Sequence, residues 1–411
     1  MALHLVVHLR WRRLVAGLAL LAVLAWLIVA ESTGGSGQQA RLTARAAPLR
    51  SAAAPALPAA LPTAALLDRR SALLAQVQLS AATYCHYRDS SKYPFNSRPI
   101  SEQPDQVYPN AAINQLNPMR LQGGTSDPRV LIQTAQTRVF LAAGETVSFS
   151  VRAVDGNGVV LPLVVLGATA EALTSGKQRP LAPISLPFAD DGSGADPVAG
   201  DGAYAATLVP VNSALAGFHG TIRTRVRYSV GGEAGSVEFD VIYSPELPAV
   251  WSGPPREVVA DGALSFYLPL QVHQRGRYVV SGRVDDASGA PLALLSFNEV
   301  LPSGPNEVKL TVFGKLLRDQ QAALPLTLRD VDAYLLRENS DPDRALMARR
   351  EGAVLTGKVY PLSRFADSEW HSEERSRHLT EFAGDAKAAR AALARLAGAA
   401  AVPEPPCALP P

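Results

Sequence analysis

The chain has 411 residues, 47% hydrophobic and 18% charged, with 39 Lys+Arg against 37 Asp+Glu and a formal net charge of +2. That length exceeds one ordinary compact domain, so two or three domains with tails are expected. The charge balance excludes the basic surplus of a nucleic-acid-binding protein, and two cysteines are too few for a disulfide scaffold or a Cys-based zinc site.

Arg10, Arg12 and Arg13 precede an unbroken apolar run over residues 14–30. Seventeen helical residues reach ~25 Å, just short of the ~30 Å hydrocarbon core of a bilayer. Cations lie before the run and none follows until Arg41, so the N-terminus is expected inside and the remainder exported. Two outcomes are open for residues 1–30: an uncleaved anchor in the inner membrane, or a cleaved signal peptide. Both place the rest of the chain outside the cytoplasm, in the periplasm or beyond it.

Residues 31–83 are Gly/Ser/Gln-rich, then Ala/Pro-rich, and read as an extended tether. Within it Leu66, Leu67, Leu73, Leu74 and Val77 have helical spacing, which predicts one short amphipathic helix over 63–78. Over 84–127, Tyr84, Tyr87, Tyr93, Phe95 and Tyr108 interleave with Pro94, Pro99, Pro104, Pro109 and Pro118. Proline at those intervals argues against helix and central strand, leaving an irregular segment wrapped over a neighbour. Its rings either pack on that neighbour, the default, or form an aromatic ligand platform.

Residues 128–245 read as successive strands, for example Thr146-Val-Ser-Phe-Ser-Val-Arg and Thr221-Ile-Arg-Thr-Arg-Val-Arg-Tyr, separated by Gly and Asp turns. Short strands with turn signals and no helix-length segments between them argue a β-sandwich. Arg223, Arg225 and Arg227 then share one strand face, expected to be solvated. Residues 244–255 read as a Pro-rich linker, and a second sandwich is expected over 256–340. The modules share a fragment, RAVDGNG at 152–158 and RVDDASG at 283–289, as duplicated sandwiches would. Over 341–411 a last strand (354–365) is expected, then an amphipathic helix carrying Leu379, Phe382, Ala386, Leu393 and Leu396, and a Pro-rich end with Cys407. The predicted fold class is mainly β: two Ig-like antiparallel β-sandwiches behind an N-terminal membrane anchor or signal helix, with a short C-terminal helix.

No nucleophile elbow, zincin, phosphate-loop, C-x-x-C or dinucleotide-binding motif occurs, and no catalytic residue is assigned. His371 and His378, seven apart, would lie ~10 Å apart on a helix, too far to share a metal. Glu373-Glu374 and Asp285-Asp286 are adjacent pairs whose side chains diverge, so neither makes a dyad. The most specific local motif is the loop of Asp190, Asp191, Asp196 and Asp201 with interspersed glycines. Such a loop builds side-chain-to-backbone turns by itself; if it converges on calcium, Asp191, Asp196 and Asp201 are the ligands expected. Cys85 and Cys407 either pair, pinning both tails to the body, or remain two free thiols.

Three stretches carry a family resemblance. The 190–204 loop resembles the Asp/Gly hairpin of exported bacterial Ig-like modules. Gly276-Arg-Tyr-Val-Val with Val308-Lys-Leu-Thr-Val-Phe-Gly resembles the last sandwich of choice-of-anchor proteins. Ser97-Arg-Pro-Ile-Ser-Glu, Asp105-Gln-Val-Tyr-Pro-Asn and Lys358-Val-Tyr-Pro-Leu-Ser-Arg-Phe are similar to an envelope family known as domain of unknown function 4785. The resemblance implies an exported sandwich fold and no particular activity. The functional expectation is a non-catalytic envelope protein in the periplasm, binding a glycan or protein partner, with residues 14–30 in the inner membrane if uncleaved. A hydrolase whose carboxylates meet only in three dimensions, and a structural spacer of an export or adhesion assembly, are the alternatives.

Overall fold

The computed structural model describes residues 63–121, 124–174, 180–399 and 402–409, so the apolar run at 14–30 and most of the tether lie outside the described residues. Among those described, no helix is long and apolar enough to cross a membrane.

Helix α1 spans Thr63–Ser90. Its buried residues Val77, Ala81, Tyr84 and Cys85 recur at i, i+4, i+7 and i+8, one face of a helix. The helix expected to end near Gln78 therefore runs on through Tyr84 and Tyr87. Pro94 is the first residue able to stop it, and proline constrains only its own surroundings. Strand β1 (Ser97–Pro99), two short 3₁₀ turns and strand β2 (Ile113–Arg120) follow. The segment expected to be irregular thus holds two strands. Both are sheet edges, where the missing proline N–H is tolerated: Pro99 ends β1, and Pro118 sits beside a register shift in β2.

The first module contains β3 (Ser126–Gln136), β4 (Phe140–Ala142), β5 (Val147–Val154), β6 (Val160–Leu161), β7 (Leu163–Ala172), β8 (Ile184–Ser185), β9 (Tyr204–Leu208), β10 (Gly220–Val230) and β11 (Glu233–Ser244). One sheet runs β2-β3-β5-β6, with β9 also on β5; the other runs β4-β11-β10-β7-β8. On β10 every second residue, Ile222, Thr224, Val226, Tyr228 and Val230, turns inward. The apolar ones among them meet Phe149, Val151, Leu208, Val241 and Tyr243 in one core, which makes the pair of sheets sandwich-like. One pairing departs from the expected antiparallel scheme: β4 lies parallel to β11, so that sheet is mixed.

The second module contains β12 (Ala249–Trp251), β13 (Arg256–Ala260), β14 (Ala263–Val272), β15 (Gly276–Asp285), β16 (Pro291–Leu301), β17 (Gly304–Val312), helix α2 (Gly314–Asp319), β18 (Thr327–Leu336), β19 (Arg344–Leu346) and β20 (Arg350–Thr356). Its sheets run β1-β16-β15-β18-β19, with β20 on β18, and β12-β14-β13, with β17 on β14. Phe266, Leu268, Tyr278, Val280, Leu295, Leu310 and Leu328 form its core. The stretch read as a linker supplies β12, and the last strand falls at Arg350–Thr356 instead of 354–365. The repeated fragment makes equivalent turns. Asp155 Oδ1 accepts the N–H groups of Asn157 and Val159, and Asp286 Oδ1 those of Ser288 and Ala290. Gly158 and Gly289 both take φ +82°, which a side chain would resist.

Helix α3 (Glu373–Ala397) is capped by Ser372, whose side chain accepts the Arg375 N–H at 3.0 Å, and ends at Gly398. At 25 residues it is long, where a short one was expected. It buries Ala383, Ala386, Ala389 and Leu393, and packs on α1 through two small clusters, one around Val77 and one around Tyr84 and Cys85.

Candidate binding cleft between the modules

The chain between α1 and β3 belongs to both modules, because β1 pairs with β16 and β2 with β3. The turn between these two strands lies over β15 and covers Arg283, whose side chain is almost wholly buried. A buried guanidinium needs every donor matched. Nη2 donates to Gln106 Oε1 at 2.7 Å and Nε to the Gln106 carbonyl at 3.2 Å. Nη1 donates to the Asp330 carbonyl at 2.8 Å and to Asp332 Oδ2 at 2.5 Å.

Two further groups extend this network. Arg349 donates to Asn110 Oδ1 (2.8 Å) and to the Phe140 carbonyl (3.1 Å), while its own N–H meets Glu145 Oε1 (3.3 Å). Asp330 accepts from Asn110 Nδ2 (3.1 Å), the Gly352 N–H (2.8 Å) and Arg329 Nη1 (2.7 Å). These bonds hold Asp330 at φ +47°, in the left-handed region that aspartate tolerates better than most residues. Burial works against the charge on Arg329, but hydrogen bonds to Asp285 and Asp330 outweigh it and hold the guanidinium above its usual range. Asp330 and Arg349 thus tie the wrapped turn to the second module, and Phe140 and Glu145 bring in the first.

Beside the network lies a cleft of about 480 Å³, within the size range of small-ligand sites. Tyr108, Phe140, Tyr334, Arg344 and Met347 line it, with Asp105, Glu145 and Asp332 as its acids. Arg344 stacks over both Phe140 (5.2 Å) and Tyr334 (4.8 Å), and Tyr108 remains mostly exposed. Of the rings noted in the sequence, Tyr84 and Tyr93 pack inward, whereas Phe95 and Tyr108 face solvent.

The other residues singled out in the sequence lie elsewhere. Asp191 is not part of the convergent acid set; its carboxylate turns back on the Ser193 N–H and hydroxyl, which hold it below the usual carboxylate range. Asp190 takes its place, and one oxygen each from Asp190, Asp196 and Asp201 lie within 4.8 Å of one another. The reason is hairpin geometry: Asp190 reaches across to the N–H groups of Gly200, Asp201 and Gly202. Asp196 likewise accepts from Gly192 and Val198, and Asp201 from Ala203. The set that could hold a hard cation is therefore Asp190, Asp196 and Asp201, and the same oxygens already close the turn. Cys85 and Cys407 are joined in a disulfide, Cα to Cα 5.8 Å. His371 precedes α3 and contacts Ser376, while His378 packs between Tyr87 and Phe382. Glu373 and Glu374 open α3. Asp285 pairs with Arg329, and Asp286 caps its turn. Arg223 and Arg225 pair with Asp240 and Glu238 along the outer sheet face. Sequence reasoning missed Arg283 and Arg349, and an arginine in an alternating strand carries no local signal of burial.

His219, just before β10, meets the second module at Arg337, which donates from Nη1 to His219 Nδ1 at 3.1 Å. Burial, then the Arg337 charge, push the imidazole below its usual range, against a backbone hydrogen bond involving Arg344 and the Glu246 charge. A depressed imidazole adds stability that is fully present above pH ~6.5 and is lost as pH falls through the lower folded-state value. The expected result is a melting temperature that falls between pH 7 and 5, with a shallower fall in His219→Gln. Parallel slopes in the two proteins would contradict the assignment.

Taken together, fold and cleft define a mainly β protein of two sandwich-like modules interlocked by a shared N-terminal segment. No family model matches the chain, and no curated protein matches it. Similar solved structures include a DUF4785 family protein from Legionella pneumophila, the family that the 97–110 and 358–365 segments resemble; it is 13% identical over 55% of this chain, with a TM-score of 0.37. The match spans 57% of the Legionella chain. Others are a chimeric titin Z1Z2 (11% identity, 58% of this chain and 94% of that one, TM-score 0.18) and Escherichia coli alpha-2-macroglobulin (13%, 55% and 22%, TM-score 0.19).

Proposed function

We propose that this is a non-catalytic cell-envelope protein, its Ig-like modules exposed to the periplasm and its interlocked cleft receiving a glycan or protein partner. The observation that carries the reading is the Cys85–Cys407 bridge, because such bonds form and persist in oxidising compartments. The arginine-led apolar run at 14–30 adds an export signal of the matching orientation. Binding is favoured over hydrolysis by the state of the cleft acids. Asp332 is paired with Arg283, Glu145 with Arg138, and Asp105 accepts from the Gln106 amide. The rings of Tyr108, Tyr334 and Phe140, each carrying an arginine on it, supply aromatic surface of the kind that stacks on sugars and aromatic side chains.

Two measurements test the reading. In intact cells without reductant, Cys85 and Cys407 are expected to resist thiol labelling, and an alkaline phosphatase fused after residue 411 is expected to be active; labelled thiols with an inactive fusion overturn the location. Retention on immobilised envelope polysaccharide or envelope protein is expected to drop roughly tenfold in the double variant Tyr108→Ala, Tyr334→Ala, at ~0.5–1 kcal/mol per stacked ring. Unchanged retention of the double variant removes the cleft from the proposal.

A further inference from the structure

We infer that the free edge of β2 is a self-association surface, through which two copies of this chain pair their β2 strands antiparallel about a two-fold axis at Gln115. β2 is hydrogen-bonded to β3 on one side, in register from Ile113 opposite Gln136 to Pro118 opposite Leu131. On its other side, among the described residues, the nearest pairing is a bridge from Leu121, beyond the strand, to Gly235. The outward N–H and C=O groups of residues 113–117 are thus a template for another strand. Every residue from Ile113 to Pro118 is exposed, including Leu116 at 56%.

Charge is a common guard of natural edges, and several edges of this protein carry it. β17 carries Glu307 and Lys309, β16 Glu299, and β13 Arg256 and Glu257. The free edge of β7 at residues 163–166 carries no charge but is interrupted by a register shift against β10. On β2 these guards sit at one end, in Pro118 with its register shift and in Arg120, and residues 111–117 carry neither charge nor bulge.

The occupant follows from the same residues. A strand that fits this edge must be extended and neutral, and β2 itself meets that description. With Gln115 on the axis, Leu116 stands opposite Asn114 of the partner subunit, and Ile113 opposite Asn117 of the partner subunit. No like charges oppose, and the amides of Asn114, Gln115 and Asn117 are spaced for cross-strand hydrogen bonds. Leu116 also walls a shallow cup of about 290 Å³ with Gln133, Arg152 and Val154 on the outer face. Pairing brings the two cups side by side along one continuous sheet. A two-fold contact uses both edges at once and closes the assembly at a dimer.

In the full chain the native cysteines are bonded to each other, so Gln115→Cys supplies one new thiol. Opposed residues in an antiparallel pair have Cβ atoms ~5 Å apart, within reach of a disulfide. Under mild oxidation Gln115→Cys is expected to give a linked dimer, at least tenfold faster than Val300→Cys, another exposed position, on β16. Adding Leu116→Lys is expected to slow that cross-linking at least tenfold without altering the circular dichroism. Cross-linking no faster than Val300→Cys overturns the inference, as does a rate insensitive to Leu116→Lys, or a monomer in sedimentation at high micromolar concentration.

Discussion

Cys85→Ser, or reduction of the Cys85–Cys407 bridge, is expected to melt the α1–α3 pair at a lower temperature than the sandwiches, splitting one transition into two. The bridge closes a sequence separation of 322 residues, and on the chain-entropy model a loop of that length contributes about 5–6 kcal/mol, an upper bound. Apart from the bridge, small side-chain clusters and a few hydrogen bonds hold the helices. Their buried contacts are Val77 with Ala389 and Leu393, and Tyr84 and Cys85 with Ala383, much of it alanine, joined by the Tyr87 ring against Phe382 and His378 and by Arg375 donating to Ser91 Oγ and the Arg88 carbonyl. The two module cores are far larger and do not include either cysteine. Calorimetry with and without reductant, with hydrogen exchange over residues 402–409, checks the expectation. A single unshifted transition and a protected tail after reduction would show that packing alone holds the pair.

Arg283→Ala is expected to cost about 1–3 kcal/mol for each buried acceptor left unmatched; Asp332, part-exposed, keeps Arg349 at 3.6 Å. Asp332 loses its 2.5 Å partner, while the Gln106 amide and the Asp330 carbonyl lose their donors. Because Gln106 sits in the turn joining β1 to β2, the damage should spread there. Exchange protection of residues 104–110 is expected to fall before that of β15. Arg283→Lys should recover only part of the loss, since one ammonium cannot span acceptors on three residues as the planar guanidinium does. Urea titration gives the stability; a loss under ~1 kcal/mol for Arg283→Ala would falsify the interlock.

Strand content was legible where neighbours along the chain decide it. On β10 the alternation of Ile222, Val226, Tyr228 and Val230 with arginines reads directly as one buried and one wet face. The matched turns at Asp155 and Asp286 were legible for the same reason, because the carboxylate and the N–H groups it accepts are within four residues. Proline was over-read. Its prohibition is positional, so Pro118 is compatible with an edge strand, and nothing in the local sequence says which strand will be the edge. In the acidic loop the residue types were apparent, but the choice between Asp190 and Asp191 rested on which carboxylate faced across the hairpin.

The sequence alone determined the mainly β class, the turn positions and the faces of the strands, because each depends on residues a few positions apart. The tertiary structure decided the rest: the partner of Cys85, the burial of Arg283 under Gln106, and the division of residues 97–120 between two sheets. Each of those depends on groups brought together from far apart in the chain, 177 positions for Arg283 and Gln106. Side-chain type and local periodicity carry no record of such meetings; they exist only once both modules have closed over the same segment.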